Sequence, residues 1–188
     1  MPREPLPKPR RGGDRGGAAR ALPTTGNYPL EGYAPELDMP KGAQLADGPV
    51  GFRKATREQL EHGADWIKVY MRARAAVHGP SFQRALKAGV KIVFGTDVGS
   101  FEWTDPNSPI AMEFSRMVEF GMAPMAAIKS ATTVPAEMLD MAGQVGVIAP
   151  GAYADVIAVV GDPLRSVKVL ESVVFVMKDG EVFRNELK

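Results

Sequence analysis

Cysteine is absent from the 188 residues. Its absence excludes disulfides, zinc–thiolate sites and thiol nucleophiles, and fits a reducing compartment. An excess of charge is missing too: 23 basic and 22 acidic side chains leave a formal net charge of +1. No global field therefore selects nucleic acid, a membrane surface or an acidic partner. No apolar run approaches the roughly 20 residues of a membrane span, and the basic amino terminus is not followed by the apolar stretch of a secretory signal. A soluble, cytoplasmic protein is expected, without nucleic-acid or membrane partners. Histidine is scarce, with only His62 and His78. The length suffices for one domain with a core, yet falls short of the roughly 250 residues typical of (β/α) barrels.

What is present changes character along the chain. Residues 1–20 carry Arg3, Lys8, Arg10, Arg11, Arg15 and Arg20 against Glu4 and Asp14, a local charge of +4 among Pro and Gly. Such a segment has little to bury and reads as a disordered basic tail. A nucleic-acid arm is the sharper alternative, but no aromatic residue interleaves the arginines. Residues 21–51 are rich in Pro and Gly and read as an irregular loop. From Arg53 a grammar appears: ATREQLEHG predicts a helix stopped by Gly63, and DWIKVYM a buried strand. SFQRALKAG and VKIVFGTD repeat it, with a helix ended by Gly89 and a strand from Val90 to Gly95. Two αβ units in succession argue for a parallel sheet covered by helices.

Three helices should follow. Ile110, Phe114, Met117 and Val118 share a helical face before Gly121, PMAAIKSAT starts at Pro124, and PAEMLDMAG has Pro in its first turn and Gly143 beyond its end. The 10 methionines sit largely with aliphatic residues on such faces and predict core packing. In the last stretch Val156–Val160 reads as an apolar strand, and VVFVMKDGEVFRN as a hairpin around Lys178, Asp179 and Gly180. A small antiparallel sheet is the expectation there.

Two residues stand where chemistry gathers in parallel sheets, at the carboxyl ends of strands. Asp97 follows IVFGT; it is either a capping or turn aspartate or a functional carboxylate. Lys68 lies inside WIKVY with apolar neighbours on both sides. A lysine so placed must snorkel, pair with a carboxylate, or be chemically altered. Carbamate formation would turn it into an anionic ligand able to bridge two metals.

GADWIKVY, SFQRALKAGVKIVFGTDVG, the run from MEFSRMVEFGM to ADVIAVVGDPL, and VVFVMKDGEVFR resemble consecutive blocks of the amidohydrolase superfamily. The likeness is nearest to its Xaa-Pro dipeptidase and imidazolonepropionase-like group, and TTGNYPLEGY and PKGAQLADGP share it. The resemblance implies a (β/α)₈ barrel holding two divalent metals, zinc or manganese, through a His-x-His pair, a carboxylated lysine, two later histidines and an aspartate. It further implies hydrolysis of carbon–nitrogen bonds in a small amide or dipeptide by a metal-activated hydroxide, with the aspartate accepting the proton. Carried over by position, Lys68 and Asp97 are metal ligands and Asp97 is also catalytic.

The sequence departs from that pattern. It holds no His-x-His; His62 sits in the helix before the lysine strand and reads as a surface residue, and His78 precedes the Asp97 strand as a loop residue or a makeshift ligand. Residues 69–96 alone separate Lys68 from Asp97, about one βα step, whereas the resemblance places these ligands on the fourth and eighth strands. The expected fold is therefore α/β: an incomplete TIM-barrel fragment over residues 52–143 followed by a small β domain over 144–188. The expected function is that of a metal-dependent carbon–nitrogen hydrolase impaired by loss of its histidine ligands, and the chain could hold no metal at all. The competing expectation is a non-catalytic remnant or split-gene subunit that self-associates or pairs with a complementing chain.

Overall fold

The computed structural model describes residues 17–18, 22, 43–69, 75–96 and 110–187. The chain divides into two compact units, Met1–Ala75 and Ala76–Lys188.

In the first unit, α1 (Gly48–Glu61) begins with a proline in its first turn, where the fixed φ suits a helix and the missing N–H costs no bond. It ends as the sequence predicts: the His62 N–H donates to the Glu58 carbonyl at 3.1 Å, and Gly63 takes a left-handed φ of 86° that a side chain would oppose. The helix nevertheless starts before Arg53. Residues 48–51, expected to belong to the irregular loop, are helical, because Gly48-Pro49 is a helix start as well as a loop signal. Strand β2 (Ala64–Trp66) pairs in parallel with β1 (Gly17–Ala18). Beyond it Leu22 bridges Val69, and the Leu22 N–H donates to the Lys68 carbonyl at 2.8 Å. Gly17 and Ala18 fall inside the segment expected to be a disordered tail; they are its small, uncharged gap, able to lie against a strand. The core here is Leu22, Ala46 and Ala55, with Phe52 and Ile67 packed on it. The side-chain amide of Gln44 donates to the Glu58 carboxylate and that of Gln59 to the side-chain oxygen of Gln44, linking the segment before α1 to the helix.

The second unit contains the rest of α2 (Ala75–Lys87), then α3 (Met112–Glu119), α4 (Pro124–Ala131) and α5 (Thr133–Met138). Phe82, Met117, Met122 and Ala127 form its core, and Leu86, Ile92, Phe94, Phe114, Val118 and Phe120 pack around them. The rings of Phe94 and Phe114 stack with centroids 4.4 Å apart. Two methionines thus pack as expected, while Met125 and Met138 are exposed. The strand predicted from Val90 to Gly95 does not form: residues 90–96 have no sheet partner among the described residues. Ile92 and Phe94 instead lie against the helical core, and the Phe94 N–H donates to the carbonyl of buried Ser130 at 2.8 Å. An apolar β-branched run signals burial; it becomes a strand only where a neighbour offers a ladder.

Past α5, Gly146 passes so close to the backbone of Thr132 that an added Cβ would lie 2.3 Å from its carbonyl oxygen. A three-stranded antiparallel sheet closes the chain in the order β3 (Val156–Val159), β4 (Val173–Lys178), β5 (Glu181–Asn185). A 3-10 helix, Val167–Glu171, connects β3 to β4. No residue of the three strands is buried. No helix among the described residues is long and apolar enough to cross a membrane.

Candidate functional site

Lys68 stands two residues past the end of β2, and its side chain is exposed. Of the readings open for a lysine within WIKVY, the exposed side chain agrees with one that reaches out to solvent. Trp66 and Ile67 are half-buried, while Val69 is 44% exposed. The apolar letters of WIKVY describe one covered side, since a short strand paired with β1 and Leu22 does not enclose both faces. The backbone of Lys68 is engaged through its carbonyl, which accepts the Leu22 N–H.

Asp97 lies outside the described residues, so the structure neither joins it to Lys68 nor separates them. His78 lies in α2, and its side chain is likewise outside the described set. His62 is exposed at the carboxyl end of α1, with Nδ1 against the Glu58 carbonyl oxygen, as befits a helix-end residue. Among the described residues no group of three His, Cys, Asp or Glu side chains gathers as a metal site would require. A binuclear centre needs several convergent anionic or imidazole donors held by their surroundings. The donors described here do not fit one.

One titratable group escaped sequence reading. Glu113, in the first turn of α3, is held above the ordinary carboxylate value of 4.5; burial opposes its charge, and the nearby Arg116 guanidinium, 3.5 Å away, pulls in the other direction. Two positions on, Ser115 donates its hydroxyl to Glu171 at 3.0 Å, pinning the 3-10 helix to α3. The i,i+3 spacing of Glu113 and Arg116 was the available signal for the pair; the burial was not readable, because it depends on what packs over the first turn. Both contacts fasten helices, and neither assembles convergent donors.

A family model described as the amidohydrolase family matches residues 67–183, more than half of the chain, and both Lys68 and Asp97 fall inside the match. Ochratoxinase from Aspergillus niger is 39% identical over 124 residues, which is 63% of this chain and 24% of that protein. The crystal structure of a Xaa-Pro dipeptidase with methionine bound in its active site is 41% identical with a TM-score of 0.52, covering 57% of this chain and 25% of that one. The crystal structure of another amidohydrolase reaches a TM-score of 0.54 at 25% identity, over 91% of this chain and 69% of that one. The chain thus spans about a quarter of the length of the ochratoxinase and of the dipeptidase.

Proposed function

We propose, from the premise that this chain belongs to the amidohydrolase family, that it carries the lysine- and aspartate-bearing part of a metal-dependent hydrolase. The substrate class is a carbon–nitrogen bond in a small amide or Xaa-Pro dipeptide, and the chain does not complete the site by itself. The observation that carries the substrate class is the identity of about 40% to both a Xaa-Pro dipeptidase and an ochratoxinase. In this reading residues 52–143 correspond to part of a TIM barrel and 144–188 to a small β domain, in a cytoplasmic protein. Asp97 occupies the catalytic and metal-ligand position, and Lys68 the second ligand position. Zinc or manganese is the metal class, as the family resemblance implies. The incompleteness rests on the donor set: two histidines in the sequence, an exposed Lys68, and a single βα step between the two ligand positions.

A second reading, a non-catalytic subunit that pairs with itself or with another chain, is favoured by the carboxyl-terminal sheet. Its eleven apolar strand positions include no buried residue, and β3 and β5 each have one edge without a sheet partner among the described residues, the arrangement that invites a further strand.

The test is an assay of the purified 188-residue chain, supplied with zinc or manganese, against Xaa-Pro dipeptides and ochratoxin. The expected result is no turnover above the metal-only background. Turnover that disappears in Asp97→Asn would overturn the incompleteness and leave the family chemistry standing. Light scattering separates the second reading, which requires a stable oligomer or a complex with a complementing chain.

A further inference from the structure

We infer that two copies of this chain join through the outer edge of β5, antiparallel and centred on Asn185, so that the three-stranded sheets of both copies run on as one. The inference rests on the second reading above, that the carboxyl-terminal sheet pairs with a chain, and it names that chain and the register.

β5 is the last strand in the order β3-β4-β5, so one of its sides has no sheet partner among the described residues, and each of its residues is exposed. The extended backbone continues past the strand, where the Glu186 N–H donates to the Val174 carbonyl of β4 at 2.8 Å. Successive peptide groups along a paired strand face opposite sides, so those of Asn185 and Leu187 face the free edge. The Leu187 N–H accordingly meets no strand and donates to its neighbouring Asn185 side-chain oxygen at 3.2 Å. Phe183 has no counterpart in the β4 register, where Arg184 pairs with Val176 and Val182 with Met177. Phe183 is 65% exposed and Leu187 55%.

The residues of this edge select the occupant, because Phe183-Arg184-Asn185-Glu186-Leu187 is complementary to its own reverse. With Asn185 opposite Asn185 about a two-fold axis, Arg184 of each copy falls opposite Glu186 of the other, and Phe183 opposite Leu187, so that each favourable pair is made twice. The outward peptide groups of the two Asn185 residues then exchange both of their hydrogen bonds. Charge fixes the register: moving the centre by one residue sets Arg184 opposite its own copy in one direction and Glu186 opposite its own copy in the other, and like charges directly opposed are unfavourable. Within one copy Arg184 and Glu186 already pair at 2.9 Å on the exposed surface, and association replaces that single contact by two across the edge. The free edge of β3, Val-Ile-Ala-Val, carries no charge to choose a partner or a register.

The test is sedentation of the full chain over a range of concentrations, with Arg184→Glu and Glu186→Lys studied singly and mixed. The wild type should dimerise. Either substitution alone sets like charges against each other twice and should weaken dimerisation by about tenfold or more. Mixing the two variants restores opposite charges at both pairs and should restore association between them, which two misfolded chains would not do. Because the chain has no cysteine, Asn185→Cys supplies a sole thiol, and mild oxidation should link it into a covalent dimer, whereas Ile157→Cys on β3 should stay unlinked. A mixture no more associated than its components, or a link at position 157 and none at 185, overturns the inference. Wild-type self-association indifferent to both substitutions also overturns it and leaves the second reading standing. A wild type monomeric at every concentration overturns it too, and confines that reading to pairing with a different chain.

Discussion

The two compact units are held by different kinds of core. The unit that carries Lys68 closes on Leu22, Ala46 and Ala55, whereas the unit from Ala76 onward closes on Phe82, Met117, Met122 and Ala127 beneath a layer of aromatic and aliphatic side chains. Burying a Phe or Met side chain contributes about 1.5–3 kcal/mol, while an alanine methyl adds less than about 1 kcal/mol. Stability therefore concentrates in the second unit rather than in the one that carries the lysine. A functional side chain is held to catalytic tolerance only by packed surroundings, and Lys68 has few of them.

The largest effect should come from breaking the stronger core. Phe82 is 7% exposed, and its ring meets that of Phe120 with centroids 6.0 Å apart. Phe82→Ala should cost about 3–5 kcal/mol, seen as a fall in the urea midpoint of helical circular dichroism. A loss under about 1 kcal/mol would mean that this core is no tighter than the alanine-rich one. Leu22→Ala probes the other side of the comparison. Leu22 is fully buried, and its removal should cost about 2–3 kcal/mol, in the lower part of the range for Leu→Ala, because small neighbours can close over the gap. Amide exchange is the readout, with protection expected to fall for the Leu22 N–H that bonds Lys68.

A smaller effect tests a place where backbone contact, rather than apolar volume, does the holding. Gly146 sits at φ 72°, and an added Cβ would lie 2.3 Å from the Thr132 carbonyl oxygen. Gly146→Ala should cost about 1–3 kcal/mol through strain and displacement, measured by thermal unfolding. A neutral result would show that the entry to α5 yields easily.

How much was legible in the sequence follows the same division. The helices α3 and α4 and the start of α5 were readable because Gly121, Pro124 and Pro135 punctuate them and their apolar residues recur at helical spacing, all of which is local; the end of α5 was not, since it stops at Met138, well before the expected Gly143. The β4–β5 hairpin was readable from Asp179-Gly180 for the same reason. The partnership of Gly17–Ala18 with β2 was not, since pairing across more than forty residues leaves no local mark. Val90–Gly95 looked like a strand because its letters report burial and not a ladder. WIKVY shows a related limit: its letters predict a covered strand and leave open whether Lys68 snorkels, pairs or is altered, because cover comes from distant elements, and β1 with Leu22 supplies only part of it. The family was legible from blocks of sequence, and the metal site was not, because a ligand cage is a property of convergent strands rather than of any one of them.

The smallest expected effect asks whether the aromatic core is dense enough to oppose a charge at its margin. Glu113 is half-buried on α3, and burial raises its carboxyl above the ordinary value of 4.5 against the pull of Arg116. A carboxyl raised on folding holds its proton more tightly in the folded chain. Its contribution to stability is therefore full below the unfolded value and is lost as pH rises through the folded value. Arg116 is 55% exposed, so solvent screens the pair and limits its worth to at most about 1 kcal/mol. Glu113→Gln keeps the shape and removes the charge. Relative to the variant, the wild type should lose a little stability between about pH 4 and pH 7, read from urea midpoints of both proteins at each end. A wild type that gains on the variant as pH rises would show the Arg116 pair outweighing burial, and the margin of this core would then be as open to water as the surroundings of Lys68.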